Sequence, residues 1–323
     1  MYDQFRRILE QVGFKEAKAS LCAKIFADNS RDGVVSHGIN RFPVFIQMVG
    51  DGLVDPEAEP ELTGHRGLVE NWDGHLAPGM YAASLAMDRA IHLAKKDGIG
   101  CVFVSNSNHW MRGGTYGWQA AEAGCIGICA TNTIANMPAH GGTLPRLGNN
   151  PLVLAIPRNG GHMVLDMAMS QFSYGKLQEF EMRDEILPVE GGYDAQGKLT
   201  RDPSAIRASK RTLPIGFWKG AGLSLMLDVM LTQLGGGKSV SRITATGKEY
   251  GLSQFFLCFD AEGLDQALTE DIIEFAKSGA GTAEHQDVSY PGERTLAKRK
   301  LCDQYGIEVN QEAWNKLQNL LLK

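Results

Sequence analysis

Apolar residues recur at helical spacing through the amino-terminal part of the chain. Phe5, Ile8 and Leu9 fall on one face of a predicted first helix, and charged residues lie among them. The same spacing predicts a second helix over residues 15–28 and a third helix that begins in the polar stretch 36–41. The pattern therefore predicts an all-helical segment over roughly the first 55 residues.

From residue 68 onward, short apolar runs alternate with longer stretches at helical spacing. Strands are predicted over residues 101–104, 125–131, 151–157, 163–167 and 252–259, and helices over residues 79–96, 116–123, 218–234, 264–277, 295–305 and 310–322. Residues 191–214 are rich in Asp, Gly, Lys and Arg, lack an apolar period, and are predicted to form an exposed loop. Alternating helices and strands indicate an α/β fold.

Composition narrows the class of protein. The chain has 323 residues, of which 43% are hydrophobic, and this is enough for a sizeable buried core. Its net charge of −5 and isoelectric point near 5.9 give no electrostatic footprint for nucleic acid. No stretch approaches the roughly 20 apolar residues of a membrane span, and the first helix lacks the apolar core of a signal peptide. We therefore expect a globular protein with no nucleic-acid and no membrane partner.

Six cysteines are spread along the chain, mostly among apolar residues. In so long a chain they do not make a disulfide framework. Cys125 and Cys129 are close enough to suggest a metal site, but no second pair of cysteines or histidines completes a tetrahedral set. Their segment has the alternation of a core strand. The cysteines therefore indicate buried thiols, no metal site and a cytoplasmic protein.

Residues 36–41 carry the densest candidate chemistry. His37 has the side-chain pKa nearest neutrality and can exchange a proton with an oxygen, while Arg41 can bind a carboxylate through two parallel hydrogen bonds. A 2-oxo or 2-hydroxy acid presents both groups on neighbouring carbons. The alternative is structural: Ser36 caps a helix, His37 is a polar turn residue and Arg41 is a solvated charge.

Residues 108–114 form a second polar cluster directly after the predicted strand 101–104. Ligand sites in α/β folds favour the loops at strand ends. His109 is a second candidate acid or base, and Gly113 and Gly114 would let the backbone approach a ligand. The alternative is a turn whose histidine bonds a carbonyl and whose Trp110 packs on the core.

Three further segments hold weaker candidates. Asp166 ends an apolar strand, where a carboxylate would either orient an imidazole or cap a following helix. Trp218 and Lys219 open a predicted helix whose free N–H groups suit a phosphate, and residues 291–294 precede another helix. No G-x-G-x-x-G follows a strand, and residues 235–239 lack the first glycine of a phosphate loop. The residues alone therefore indicate an α/β enzyme with two histidine loops.

Five motifs occur in the order found in a known family. They are residues 36–43 (Ser-His-Gly-Ile-Asn-Arg-Phe-Pro), 108–114 (Asn-His-Trp-Met-Arg-Gly-Gly), 166–175, 216–220 and 291–293. Through them, and over nearly its whole length, the chain resembles the malate/L-lactate dehydrogenase family. That family's fold differs from the Rossmann dehydrogenases, which accounts for the missing glycine fingerprint.

The resemblance implies an architecture and a cofactor. It implies a mostly antiparallel mixed sheet flanked by helices, with residues 68–279 as the cofactor-binding α/β domain. Residues 1–67 and 280–323 would form a helical subdomain, with the substrate cleft between the two. The family also implies an NAD(P)-dependent homodimer, for which NADH is the expected cofactor and NADPH the alternative.

Site residues are carried over from the family by position. His37 resembles the family's proton donor, Arg41 the residue facing the acid end of the substrate, and His109 a histidine used as acid or base in ureidoglycolate-type members. Asp166 would help to set the polar environment. The cofactor-contacting segments match Val164, Leu165, Asp166, Met167, Ala168, Met169, Ser170, Trp218, Lys219, Gly292, Glu293 and Arg294. One departure is that residues 141–143 are Gly-Gly-Thr in a loop where relatives often carry a lysine.

Within the family, the motifs are most similar to those of members that reduce a diketo sugar acid. The expected reaction is hydride transfer from NADH to a C2 carbonyl, with a proton donated by His37. A reductase of another 2-oxo acid, of the malate, lactate or ureidoglycolate type, is the alternative. Two alternatives of other classes are a metal-dependent hydrolase using His37, His109, His140 and Asp166, and a sugar-acid binding protein without turnover.

Overall fold

The computed structural model describes residues 1–279 and 288–321. Helices in these residues are α1 (Tyr2–Gln11), α2 (Glu16–Arg31), α3 (Phe42–Gly50), α4 (Gly79–Asp97), α5 (Gly114–Glu122), α6 (Tyr174–Met182), α7 (Pro203–Ser209), α8 (Trp218–Gly235), α9 (Val240–Ala245), α10 (Gln266–Lys277), α11 (Glu293–Tyr305) and α12 (Gln311–Leu321). Residues 280–287 and 322–323, which belong to the predicted carboxy-terminal part of the helical subdomain, lie outside the described residues.

The strands form one large sheet and two short ribbons. They are β1 (Glu61–Arg66), β2 (Val69–Asp73), β3 (Ile99–Ser107), β4 (Cys125–Thr131), β5 (Met137–Pro138), β6 (Pro145–Leu147), β7 (Leu152–Ile156), β8 (Met163–Met167), β9 (Gly192–Tyr193), β10 (Leu199–Thr200) and β11 (Leu252–Asp260). The large sheet has seven strands in the order β1-β2-β3-β11-β4-β7-β8. Among the described strands, only β2 and β3 pair in parallel, so the expected mostly antiparallel mixed sheet is confirmed.

The central strands are apolar on both faces because helices cover both sides of the sheet. Val102 and Val104 of β3 pack toward α4 and α5, together with Cys129 of β4. Phe103 alternates to the opposite face, where it meets Phe255 and the helix α8. The run 125–131 is therefore a core strand, as its alternation predicted, and all six cysteines are free and buried.

The terminal helices share a separate apolar cluster. Phe5 of α1, Phe26 of α2 and Phe42 of α3 are fully buried against one another, with Phe26 and Phe42 in an edge-to-face contact at 5.0 Å between ring centroids. Leu317 of α12 joins this cluster from the other end of the chain. Edge-to-face aromatic packing of this kind adds to the stabilisation from apolar burial alone. The amino-terminal helices and α12 therefore share one apolar cluster, which also includes Ile39 of the stretch 36–41.

The predicted exposed loop over residues 191–214 is wrong in part. This segment contains β9, β10 and α7, and Asp202 caps α7 by accepting hydrogen bonds from the N–H groups of Ser204 and Ala205. Ile206 is fully buried against Leu177 and Leu187. A single apolar anchor in α7 is too sparse to produce a helical period, so the pattern of the sequence did not show the helix.

In the described residues, no helix combines the length and the apolar character that crossing a membrane requires.

Candidate active site

His37 lies in a 3₁₀ turn, Val35–His37, that is seated on the end of α2. A Cβ at Gly38 would stand 2.2 Å from the Ser30 Oγ, so only glycine lets the turn come this close. Ser30 Oγ in turn accepts a hydrogen bond from the Ile39 N–H at 3.0 Å, and Asn29 donates to the His37 carbonyl at 3.0 Å. The turn is therefore fixed to α2, which orients the imidazole.

The second histidine sits in a loop that is held by a buried asparagine. Asn108, 1% exposed, donates from its side-chain amide to the carbonyl of Leu76 at 2.8 Å, and its backbone carbonyl accepts from the Gln254 side-chain amide at 2.8 Å. The His109 Nδ1 accepts a hydrogen bond from the Met111 N–H at 3.0 Å. An Nδ1 that accepts carries no proton, so this bond assigns the proton of neutral His109 to Nε2.

The two imidazoles are brought together from distant parts of the chain. Their ring centroids are 5.7 Å apart and the rings are nearly parallel, at 24°. Burial, aided by the charges of Arg41 and Arg112, lowers the pKa of His37 to about 4. Burial, with Arg41 and His37, also lowers the pKa of His109 well below its usual value. Both rings are therefore neutral at pH 7 before an anion binds.

Arg41 is the third candidate, and its charge lowers the pKa of both histidines. It is the N-cap residue of α3, and its Nε is buried with no hydrogen bond in the described part of the chain. Within residues 1–279 and 288–321, no carboxylate forms an ion pair with its guanidinium. A partly buried, uncompensated cation is costly, and an anionic ligand would offset that cost.

The structural alternatives for these two loops are largely wrong. Ser36 caps no helix: its Oγ is 3.0 Å from the His37 Nδ1 instead. His109 bonds a backbone N–H rather than a carbonyl, although Trp110 does pack in the core, as the alternative supposed. The glycines of the second loop approach protein atoms: a Cβ at Gly113 would lie 2.8 Å from atoms of Trp110.

Asp166 holds the histidine loop and bonds neither imidazole in the described residues. Its Oδ2 accepts a hydrogen bond from the Gly114 N–H at 2.7 Å, at the first residue of α5, and lies 3.9 Å from the Arg112 Nε. Burial raises the pKa of Asp166, while Arg112 and the Gly114 N–H oppose that rise. The carboxylate therefore caps α5, a helix that precedes it in the chain, and fixes the loop that carries His109.

A buried ion-pair network behind the site had no signal in the sequence. Asp32, whose side chain is 2% exposed, accepts hydrogen bonds from Arg112 and from Arg299, the latter at 2.7 and 2.8 Å. Burial alone would raise the pKa of Asp32, but the bonds from Arg299 and the charge of Arg112 hold it below its usual value. The network ties α2, the histidine loop and α11 together.

Comparison with known proteins identifies the chain. The profile of the family described as malate/L-lactate dehydrogenase matches residues 1–318. The chain belongs to the malate/L-lactate dehydrogenase family. It is 43% identical over 324 residues to the 2,3-diketo-L-gulonate reductase of Citrobacter koseri, which covers 98% of this chain and 97% of that protein. The 2,3-diketo-L-gulonate reductase of Escherichia coli is also 43% identical, over 322 residues, with the same coverage.

Solved structures of the malate/L-lactate dehydrogenase family have the same fold. Malate dehydrogenase from Entamoeba histolytica aligns with a TM-score of 0.92 at 25% identity, over 99% of this chain and 94% of that one. Sulfolactate dehydrogenase from Methanocaldococcus jannaschii aligns with a TM-score of 0.87 at 26% identity, over 99% and 94%. The chain is therefore an oxidoreductase of 2-oxo or 2-hydroxy acids, as the five motifs predicted, and this class uses a nicotinamide cofactor.

Of the three segments matched to the family's cofactor site, the segment 164–170 contacts the other two. The Val164 N–H donates to the Pro291 carbonyl at 2.9 Å, and Gly292, with φ of +99°, packs on the same strand. At the other end of β8, the Ile215 N–H donates to the Met169 carbonyl at 2.8 Å, three residues before α8 begins. The strand β8 and its extension thus join the segments around Gly292 and before Trp218.

The exposed parts of these segments fit a dinucleotide. In the described residues, α8 and α11 both start without a side-chain cap. The N–H groups of Lys219, Gly220 and Glu293 bond backbone carbonyls there, whereas those of Trp218 and Arg294 have no hydrogen bond among the described residues and can meet phosphate oxygens. Lys219 and Arg294 are exposed cations in the first turns of these two helices. Trp218, 64% exposed, presents an apolar face beside Lys219. Donors, cations and an aromatic surface together are the chemistry that a nicotinamide dinucleotide requires.

Other residues matched to the cofactor site are engaged within the protein. Val164 and Met169 are buried in the two sheet cores, and the Ser170 hydroxyl donates to the Phe172 carbonyl at 2.9 Å. The Glu293 carboxylate pairs with Lys277 and accepts from the Tyr290 N–H. Leu165, Asp166, Met167 and Ala168 keep some exposure, as does Gly292. These five residues are therefore accessible from solvent, whereas Val164, Met169 and Ser170 are not.

Residues 139–144, which contain the Gly-Gly-Thr departure and His140, are exposed. Over residues 1–279 and 288–321, His37, His109, His140 and Asp166 do not converge into a metal-ligand group, since no set of three or more His, Cys, Asp or Glu does so there.

Proposed function

We propose that the chain reduces 2,3-diketo-L-gulonate to 3-dehydro-L-gulonate with NADH. The observation that carries this proposal is Arg41, which has no ion-pair partner among the described residues and whose charge acts on two neutral histidines. It occurs in a chain that is 43% identical over 98% of its length to proteins named for this reaction. Another 2-oxo acid would meet the same two groups, so the substrate is the part of the proposal that most needs a test.

Arg41 binds the C1 carboxylate in this proposal. Its guanidinium can form two parallel, charge-assisted hydrogen bonds, and no competing carboxylate of the described residues occupies it. Binding at C1 brings the adjacent C2 carbonyl toward the imidazoles. When bound, the nicotinamide ring supplies the hydride to C2. The protein's contribution at this stage is to position the carbonyl and to exclude water.

His37 donates the proton to the alkoxide oxygen that forms at C2. Because the charges of Arg41 and Arg112 help to hold its pKa near 4, His37 is neutral in the free protein at pH 7. The substrate carboxylate neutralises Arg41 and so favours protonation of His37. Substrate binding is therefore coupled to proton uptake, and the proton is later passed to the product.

We assign the donor role to His37 rather than to His109 because of the hydrogen bond at His109 Nδ1. Protonating His109 would turn this acceptor into a donor and break its bond with the Met111 N–H. In the described residues, the hydrogen-bond partner of His37 Nδ1 is the Ser36 hydroxyl, which can either donate or accept. His109 remains neutral and donates its Nε2–H to the substrate, which helps to orient the carbonyl.

NADH would bind along the segments that β8 links. The N–H groups of Trp218 and Arg294, with the cationic side chains of Lys219 and Arg294, would meet its phosphates, and the Trp218 ring would offer an apolar face. Leu165, Asp166, Met167 and Ala168 would border it, whereas Val164, Met169, Ser170, Gly292 and Glu293 would support the backbone. Comparison of NADH with NADPH at equal concentration tests the preference.

We also propose a cytoplasmic homodimer. The helix α8 exposes apolar side chains at helical spacing, with Leu225, Met226 and Val229 at 51%, 66% and 48% exposure. A second copy covering this row would remove it from water. Light scattering of the purified protein should give twice the chain mass, and Met226→Glu should lower it toward one chain. Cell fractionation tests the compartment.

The central experiment follows NADH absorbance at neutral pH with 2,3-diketo-L-gulonate, and with pyruvate and oxaloacetate in parallel. Rapid oxidation with the diketo acid alone supports the proposal. Faster oxidation with another oxo acid replaces the substrate and keeps the enzyme class. Binding of the sugar acid without oxidation of NADH or NADPH would contradict the proposal.

A further inference from the structure

Glu249 is a partly buried carboxylate that the reaction above does not use. It lies between α9 and β11, and its Oε2 accepts a hydrogen bond from the Ile134 N–H at 3.2 Å. Burial raises the pKa of Glu249, and the charge of Arg41 opposes that rise. Arg41 acts in the same way on the pKa of both histidines. The Arg41 charge therefore acts on both imidazoles and on Glu249.

A continuous wall connects Glu249 to the histidine turn. Ile134 begins the segment 134–136, in which the Ala135 N–H donates to Thr244 Oγ1 at 2.9 Å and the Asn136 carbonyl accepts from the Tyr174 hydroxyl at 3.3 Å. Gly175, which follows Tyr174 in the chain, contacts the turn that carries His37, since a Cβ at Gly175 would lie 2.7 Å from the Ser36 Cβ. A series of contacts through residues 134–136 and 174–175 thus links Glu249 to the turn that carries His37.

The segment that carries Glu249 is held on both sides. Lys248 pairs with Asp51, at the end of α3, at 3.6 Å. On the other side, the Lys238 ammonium lies 4.7 Å from the centre of the Tyr250 ring. These contacts limit how far the carboxylate can move toward Arg41, with which it makes no direct ion pair in the described residues. The two charges therefore stand apart.

A carboxylate in this position distinguishes possible substrates by the groups that they carry beyond C2. An ionised carboxylate only accepts hydrogen bonds, and Glu249 Oε1 has no donor among residues 1–279 and 288–321. A hydroxyl on the carbon chain beyond C2 can donate to it, and that bond is charge-assisted. A second carboxylate, such as that of oxaloacetate, would instead meet a like charge. Pyruvate has neither group and would leave Oε1 unused.

We propose that Glu249 is a specificity-determining residue that accepts a hydrogen bond from a hydroxyl of the sugar-acid chain while Arg41 holds the C1 carboxylate. This inference rests on the proposed function and names the feature of the substrate that the site recognises. The same carboxylate disfavours dicarboxylic oxo acids, so one residue selects for hydroxyls and against a second acid.

The test uses Glu249→Gln, which keeps the size of the side chain and an acceptor for the Ile134 N–H. The ratio of kcat/KM for 2,3-diketo-L-gulonate to that for pyruvate should fall about tenfold, because a charge-assisted bond becomes a neutral one. The ratio of oxaloacetate to pyruvate should rise. Glu190→Gln, at an exposed glutamate, is the matched control. Equal changes for all three acids would overturn the proposal, because they would mean that Glu249 acts on Arg41 alone.

A binding measurement separates this inference from the proposed function. Calorimetry with the NAD⁺-loaded protein compares L-gulonate, a hydroxylated acid, with L-lactate. Glu249→Gln should weaken L-gulonate about tenfold relative to L-lactate. If the wild-type protein fails to turn over the diketo acid but shows this shift, the proposed substrate is wrong and the role of Glu249 stands. An unchanged preference in the variant overturns that role whatever the turnover.

Discussion

Arg41 and Arg112 both act on His37, and their surroundings are opposite. The Arg112 side chain is 7% exposed and bonds to Asp32, which Arg299 binds as well. Arg41 has no such partner in the described part of the chain. A buried charge that is paired holds a structure together, whereas an unpaired one destabilises it until a ligand arrives. Arg112 therefore maintains the fold, whereas Arg41 is available to bind the substrate.

Removing Asp32 should have the largest effect on stability. Asp32→Ala leaves Arg112 and Arg299 buried without a counter-charge, so the free energy of unfolding should fall by about 3–5 kcal/mol. Urea unfolding measures this loss. Asp28→Ala, which removes more exposed pairs on the same helix, should cost less than about 1 kcal/mol. Similar losses for the two variants would mean that the buried network is not structural.

Removing Arg41 should affect catalysis and leave the fold intact. Arg41→Met should lower kcat/KM for the acid substrate by about 10²–10³-fold, since the C1 carboxylate loses a charge-assisted partner. Its melting temperature should stay level or rise, because the Arg41 guanidinium has no hydrogen bond or ion pair among the described residues that could be lost. Arg112→Met is the matched comparison and should lower the melting temperature. A clear loss of stability in Arg41→Met would break the contrast between the two arginines.

The two histidines should differ when each is replaced. His37→Gln should lower kcat by about 10²-fold or more, as expected when a general acid is removed. His109→Gln should mainly raise KM, because His109 orients the substrate and donates no proton that is consumed. Steady-state kinetics with NADH separates the two effects. Wild-type turnover in His37→Gln would transfer the role of donor to His109.

The pH profile should report the charge that Arg41 and Arg112 impose on His37. Because the pKa of His37 is about 4 in the free protein, its protonated fraction falls about tenfold for each pH unit above that value. The kcat/KM for reduction should therefore fall as the pH rises from about 6 to about 8, while the reverse oxidation stays level. Replacing His37 by Gln should remove the slope. A flat profile for reduction would show that His37 does not enter protonated.

Local patterns predicted the strands and the loops that carry chemistry. The strands β4 and β8 begin and end at the predicted residues, because short apolar runs with a period of two leave little choice of structure. His37 and His109 were both recognised as candidates. Their stacking was not predictable, since it depends on how Gly38 seats one loop on α2 and how Asn108 holds the other.

The remaining features depend on partners that are far away in the chain. Asp32 bonds residues 80 and 267 positions later, and Glu249 bonds a backbone group 115 positions earlier. The sequence around a single acidic residue in a turn does not indicate such a distant partner. The same applies to the strand order, in which β11 lies between β3 and β4 although it is the last of them to appear in the chain.

The position of β11 also determines when the central strands can pair in a chain that is still being synthesised. Both β3 and β4 leave the ribosome well before residues 252–260, so each offers an unpaired edge until their shared neighbour emerges. Strands with open edges and apolar faces are the usual starting points of aggregation. A nascent chain halted before β11 should therefore depend on chaperones, even though all the residues of the histidine loops have already been made.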